Sequence, residues 1–507
     1  MTRRSALLRI LFPDAALWVA FLALLFGVVL GEGPQRFFRD SDTGWHIRTG
    51  EWILEHGALP RVDPFSFTMS GKPWFAWEWG ADVLMAIAHQ WDGLKGVALL
   101  YALVIAMVTW LWFHLHWAVG GNFFLACAFA SPMLTTLHLH WLARPHVLGW
   151  LFCLTSVLVI ERFTAQDGPV FRWRQGAMAA LAGMVWANVH GSFFLLPVLL
   201  WIYAGGRWAN AWLWSAQPAG VRCLAILGGC GALGSLLNPY GWDLHRHVGA
   251  YLMNRELLSR IGEYLSFNFH SQGTGQILLT VILSLVGAAA ALYGRRTEHF
   301  LIIILFAALA IRSARVLPLL ALLGLPLANG GFTAVARAAQ IQPMVRRWLD
   351  RFLVYSDRIR QIDQRCAGWA AAPAVLALAF LLLHAPANAQ RAAFPPSEFP
   401  VQAATAVAQL PPGARLLAPD KFGGYLIYRF QGQRKVFFDG RSDFYGVDFM
   451  KNYIRLVEAR PGWKQLVTEF GFTHALLPNQ YSLVQGLEDW GWKQVYRDSV
   501  VTLLKKE

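Results

Sequence analysis

Asp40 and Asp42 stand two residues apart in RDSDTGWHIRTGEWIL, and His46 and Arg48 follow within the same stretch. Carboxylates at that spacing can take a proton from a hydroxyl group or hold a divalent cation such as Mg or Mn. Cations beside them can meet a phosphate. Asp63 and Glu78 lie further along the same polar segment, residues 32–93. The plainer reading of Asp40 and Asp42 is a helix cap, since the free N–H groups and the dipole at a helix start favour a carboxylate. The place of the cluster argues for chemistry. It begins where the first apolar run, Ala16 to Gly31, ends.

Further polar residues recur at the ends of other apolar runs. ARPH carries Arg144 and His146, WANVHGS carries Asn188 and His190, and IGEYLSFNFH carries Glu263. IRSARVLP carries Arg312 and Arg315. Each alone reads as an interfacial anchor or a cap. Together they bring His, Arg and Asn from distant segments to one membrane face, where polar groups are costly and tend to mark pathways. Arg144, His146, Arg312 and Arg315 are expected to share one cavity and to bind an anionic group there, Arg in a bidentate way.

The elements that position these residues are membrane spans. The chain has 507 residues, 56% hydrophobic and 15% charged, where a soluble protein carries about 25% charged residues. Apolar runs recur at lengths suited to spans of about 20 residues. Eleven are expected, at 14–31, 94–116, 121–139, 146–163, 176–190, 192–206, 222–237, 275–293, 298–312, 317–331 and 367–386. The first reads as an uncleaved span. The formal charge is +14, but the arginines sit beside apolar runs, which points to topology and lipid rather than nucleic acid. Arg3, Arg4 and Arg9 put the N-terminus in the cytoplasm. The arginine-rich loop 332–366 then also falls inside, as a basic amphipathic helix. None of the five cysteines matches a metal-site spacing, and no disulfide is expected.

Two pieces lie outside the spans. In 32–93 the spacing predicts a helix capped by Thr43 or Asp42, stopped at Gly57 and lying on the membrane surface. A second helix, EWGADVLMAIAHQW, follows Pro73. Residues 387–507 read as a small α/β domain. GGYLIYRF, KVFFDGRSDFY, THALLPN and WKQVYRDSVVTLLKK read as strands, and FMKNYIRLVEARPGWKQLVTEFG as helix. Asp439, Arg441 and Asp443 in FFDGRSDFY read first as a strand ending in a structural Asp–Arg pair.

DSDTGWHIRTGEWIL, then ALPRVDPFSFT, then KPWFAWEWGADVL form an acidic loop, a proline-containing stretch and a second helix. This order resembles the first loop of GT-C glycosyltransferases, the superfamily of the protein mannosyltransferases and lipid A aminoarabinose transferases. The pattern D-x-D-x-x-W-H-x-x-x-G-x-W-I-L with a terminal GGYLIYRF…KVFFDGRSDFYG resembles a bacterial branch over nearly the whole chain. Two departures stand out: Ser41 separates the acids, and Asp63-Pro64 stands where the mannosyltransferases have His-Pro-Pro.

The resemblance implies a polytopic α-helical GT-C-like fold with a small C-terminal α/β domain. It implies a multi-pass protein of the bacterial inner membrane, with residues 387–507 in the periplasm. The activity implied is transfer of a sugar from a polyprenyl-phosphate carrier to a glycan, lipid or protein hydroxyl. Asp42 or Asp40 would be the base. His46, Arg48, Asp63, Glu78, Arg144, His146, His190, Arg312 and Arg315 would bind substrate. The alternatives are a flippase or transporter of a lipid-linked anion and a non-catalytic envelope-assembly protein.

Overall fold

The computed structural model describes residues 9–165, 170–271 and 274–507. Arg3 and Arg4, used above for orientation, lie outside them. All eleven apolar segments are helical. Seven helices are long and apolar enough to cross a membrane: Arg9–Val28, Trp79–Ala118, Phe123–His140, His146–Thr164, Gly191–Trp214, Thr274–Tyr293 and Ala314–Ala338. The other four expected spans correspond to helices of 14 to 16 residues: Trp173–Ala187, Val221–Gly234, Thr297–Arg312 and Ala371–His384. At a rise of about 1.5 Å per residue these fall short of a hydrocarbon core of about 30 Å. Among the described residues, seven of the eleven expected spans therefore reach the full length of a span, and the other four are short helices.

Helix Trp79–Ala118 joins two regions. It is broken at Asp92 and Gly93, where Gly93 takes a φ of +57°. The part before the break belongs to the polar loop, and the part after it enters the bundle.

Helix Asp42–His56 forms where expected and ends at Gly57, which adopts the left-handed conformation. Its packing differs from a helix resting on a membrane. Thr43, Gly44, His46, Ile47, Thr49 and Gly50 are buried. One face lies on Trp79–Ala118 and another on helix Asp420–Arg429 from the C-terminal region. The second crossing is at backbone distance: a Cβ on Gly44 would stand 2.1 Å from the Gly424 carbonyl oxygen. Two glycines let these helices meet where any larger residue would hold them apart.

The C-terminal region departs from the sequence reading in several places. GGYLIYRF is helical within Asp420–Arg429, not a strand. KVFFDG is extended but makes only an isolated parallel bridge, Val436 to Ser66, and SDFY opens helix Ser442–Val457. Short apolar runs do not separate strand from buried helix by periodicity alone. Here Phe422, Tyr425 and Leu426 bury one helical face. The other expected strands form, joined by a short strand, Leu416–Leu417, that the sequence reading did not mark. Leu416–Leu417 (β1), His474–Pro478 (β2), Lys493–Arg497 (β3) and Val501–Lys505 (β4) make a sheet in the order β1-β2-β4-β3. β1 and β2 are parallel and the other pairs antiparallel. The expected long helix is two, Ser442–Val457 and Trp463–Glu469, with Pro461 between them. The basic segment forms helix Pro343–Asp363.

A buried ion cluster ties the first loop to this region. The Arg441 guanidinium donates to Asp439 at 2.7 and 2.8 Å and to Asp63 at 2.8 Å. It also lies 4.5 Å from the centre of the Trp74 ring. Asp63 therefore serves as a latch, with both oxygens also taken by the backbone N–H groups of Phe65 and Ser66.

Candidate active site

The N-cap residue of helix Asp42–His56 is Ser41, which makes no side-chain cap bond; the capping carboxylate, in place of Asp42 or Thr43, is that of Asp40. Its Oδ1 accepts from the Asp42 N–H at 2.9 Å. Asp42 is thereby free to face inward. Thr43 instead donates its hydroxyl to the Ala143 carbonyl at 3.0 Å, and the Ala143 N–H donates to the Phe37 carbonyl at 3.0 Å. These bonds bring the ARPH turn against the acidic pair.

Arg144 then lies among three carboxylates. Its Nη1 is 2.9 Å from Asp40 Oδ2 and its Nη2 is 2.8 Å from Asp42 Oδ2. Glu263 Oε2 is 3.4 Å from Nη1. Glu263 is also paired with Arg315, whose guanidinium stands 5.2 Å from the centre of the Tyr264 ring. Asp40, Asp42, Glu78, Arg144, Glu263 and Arg315 line one cavity of about 380 Å³. The C-terminal turn closes it: Gly440, Arg441, Ser442 and Asp443 are in its wall. Gly440 lies so close that a Cβ there would stand 1.9 Å from Asp42 Oδ1.

A second, mainly apolar cavity of about 180 Å³ adjoins the first. Trp77, Tyr251, Tyr264 and Arg315 line both. His146 and His190 line the second with Trp150, Leu195, Phe306 and Leu319. One arginine thus stands at the join between a charged chamber and an oily one.

Burial pushes the Asp42 carboxyl up to about 7, against the downward pull of Arg144. Burial likewise raises Glu78 to about 7. Burial would raise Glu263 too, but Arg315 and Arg144 outweigh it and hold it at about 2. Burial, with Arg144 nearby, keeps His46 well below the usual imidazole range. His46 is neutral at pH 7 and is oriented by Asp82, 2.6 Å from its Nδ1. Its Nε2 lies 4.0 Å from Glu78 Oε2, and His190 Nε2 is 3.4 Å from Glu78 Oε1.

Three expected site residues lie elsewhere. Arg48 donates to the Tyr428 carbonyl and pairs with Glu51, because its helix face meets the C-terminal region. Asp63 is the latch just described. Arg312 is exposed at a helix end and lines neither cavity, so of the four expected phosphate residues it stands outside. Arg144 and Arg315 share the charged cavity, and Arg315 and His146 the apolar one. Sequence reasoning passed over Trp77, Tyr251 and Tyr264, whose aromatic character suited plain membrane anchors. It left Glu263 out of the site, although IGEYLSFNFH places an acid on the expected face. It read FFDGRSDFY as structural: that holds for Asp439 and Arg441, while Gly440, Ser442 and Asp443 also face the cavity.

No family model matches the chain, and no curated protein matches it. Among solved structures it is similar to the oligosaccharyltransferase of Archaeoglobus fulgidus. The apo form of that protein superposes with a TM-score of 0.52 at 12% identity, over 92% of this chain and 69% of that one. For its complex with Zn and sulfate the values are 0.53, 12%, 92% and 68%. At this identity the likeness is one of fold. The chain is a polytopic helical protein that shares this fold and carries a small C-terminal sheet region.

A divalent ion on Asp40 and Asp42 would need their free oxygens turned to one point. The oxygens that face each other close on Arg144 instead. Among the described residues no group of three or more His, Cys, Asp or Glu side chains is arranged to hold a metal. The pair as folded does not fit a metal, and the chemistry below is derived from side chains alone.

Proposed function

We propose that the protein is an inverting glycosyltransferase that takes a sugar from a polyprenyl-phosphate carrier and passes it to an acceptor hydroxyl. The observation that carries this reading is the pair of joined cavities. A polyprenyl phosphate-sugar has a long apolar tail, an anionic phosphate and a polar sugar in that order. The apolar cavity, Arg315 with Arg144, and the acidic chamber offer matching surroundings in the same order.

In this mechanism the acceptor oxygen attacks the anomeric carbon on the side away from the phosphate. Asp42 takes the hydroxyl proton as the new C–O bond forms. The bond from the anomeric carbon to the phosphate oxygen breaks, and polyprenyl phosphate leaves with the electron pair. Arg144 and Arg315 neutralise the charge that develops on it. A carboxyl near 7 is suited to a base at neutral pH, since it is partly ionised and still a strong enough acceptor. Glu78, His46 and His190 line the approach to the reacting centre.

The resemblance to bacterial GT-C enzymes favours an inner-membrane protein, and the arginine distribution supports a cytoplasmic N-terminus with the site on the periplasmic face. In that layout residues 1–386 form the membrane part and 387–507 a periplasmic domain that completes the chamber. The partners are the bilayer, the lipid-linked sugar and a glycan, lipid or protein acceptor.

The test is transfer of a labelled sugar from polyprenyl phosphate in membranes containing the full chain. Transfer that is present in the wild type and absent in Asp42→Asn supports the reading. No Asp42-dependent transfer from any hexosyl or pentosyl carrier refutes it.

A further inference from the structure

We infer that the Arg144 guanidinium is the resident cation of this site and holds the place that a divalent metal would take among Asp40, Asp42 and Glu263. The inference rests on the reading of the chamber as a donor-phosphate site and adds what supplies its positive charge. Three carboxylates from two separate loops converge on this one side chain, at 2.9, 2.8 and 3.4 Å. That is the arrangement expected around a shared cation, with a planar fork in place of an ion. A hard divalent ion binds carboxylate oxygens at about 2.0–2.6 Å and strips them of other partners. Asp40 Oδ2 and Asp42 Oδ2 already face separate guanidinium nitrogens, and Arg144 is itself largely buried, 13% exposed. Its base is held by the backbone of the ARPH turn, through Ala143 to Thr43 and to Phe37. A metal entering here would meet a fixed positive charge in a poorly solvated chamber.

The arrangement also gives Arg144 two uses. Its fork suits a phosphate as well as it suits carboxylates. When donor phosphate draws on Arg144, the hold on Asp42 loosens and the Asp42 oxygen is freed to accept a proton. A chelated metal would stay on both aspartates.

The experiment is Mn²⁺ binding to the purified full chain in detergent, read from the electron paramagnetic resonance signal of free Mn²⁺. The wild type is expected to leave the signal unchanged. Arg144→Gln removes the charge, keeps a polar side chain and is expected to take up a single ion, and Arg144→Gln with Asp42→Asn to lose it again. Arg144→Lys keeps the charge and is expected to bind none. Wild-type uptake that Asp42→Asn abolishes overturns the inference. So does an Arg144→Gln chain that binds nothing, or an Arg144→Lys chain that binds the ion. If Arg144→Gln does not fold, the wild-type and Arg144→Lys measurements still decide it. None of these readouts depends on sugar transfer, so the inference and the transferase reading can fail separately.

Discussion

Gly440→Ala adds one methyl group at the point where the C-terminal turn touches the acidic pair. The new Cβ would stand 1.9 Å from Asp42 Oδ1 and 2.7 Å from its Cγ, whereas ordinary contact begins at 3.4 Å. Gly440 does not use a left-handed backbone conformation, so the substitution brings no backbone strain of its own. The clash has to be relieved by moving the carboxylate or the turn. Asp42 is held to Arg144 at 2.8 Å, so either shift disturbs the pair. Overpacking of this kind costs about 1–3 kcal/mol, which a chain of this size can absorb. A displacement of about 1 Å at a reacting group costs on the order of 10²-fold in rate. The expected result is therefore a folded protein, with a thermal midpoint a few degrees lower, and transfer reduced about 10²-fold. Gly249→Ala is the control, since a Cβ there has nothing within 4 Å. Full transfer by Gly440→Ala would show that the position of Asp42 does not govern the reaction, and the base assignment would go with it.

Asp42→Asn should lower transfer by about 10²–10⁴-fold. Folding should survive, because Asp40 caps the helix; Asp40→Ala should instead cost about 1 kcal/mol in a melting curve. Burial holds Asp42 and Glu78 near 7 in the folded chain, above their ordinary values of 3.8 and 4.5. The folded state therefore keeps protons that the unfolded state has released. Their contribution to stability is full below pH 4 and falls away as pH rises to about 7, while the transfer rate rises over the last part of that window. Melting curves and rate profiles across it should show opposite slopes, and Asp42→Asn should flatten the rate limb. Arg441→Ala leaves Asp63 and Asp439 buried without their partner and should cost about 3–5 kcal/mol, measured as a loss of thermal stability. Arg315→Ala should raise the donor KM, whereas Arg312→Ala, exposed and outside both cavities, should leave it unchanged.

The parts legible in the sequence were those with a local cause. Long runs of apolar residues mark helices, so all eleven segments were found. Gly57 stops its helix because a left-handed turn is cheap only for residues of its kind. THALLPN and VVTLLKK are strands because they are short, apolar and bounded by turn residues. The failures have a common form. The ends of Trp173–Ala187 and Ala371–His384 are set by caps and turns, which hydropathy does not show. Whether GGYLIYRF is helix or strand depends on what its apolar face meets, and here that is the bundle side of the same chain.

The site divides in the same way. The sequence by itself determined that carboxylates and arginines gather at the ends of apolar segments, because charge is expelled from the hydrocarbon and collects at its edge. It could not say which of them meet. Arg144 and Arg312 look alike in the chain, each an arginine at the mouth of an apolar run. Only the tertiary structure decided that Arg144 lies between Asp40 and Asp42 while Arg312 faces outward, and that Gly440, nearly 400 residues from Asp42, rests on its carboxylate. Contacts of that range are fixed by how helices pack, by the crossing of Gly44 over Gly424 and the latch of Arg441 on Asp63. No local propensity along the chain encodes them.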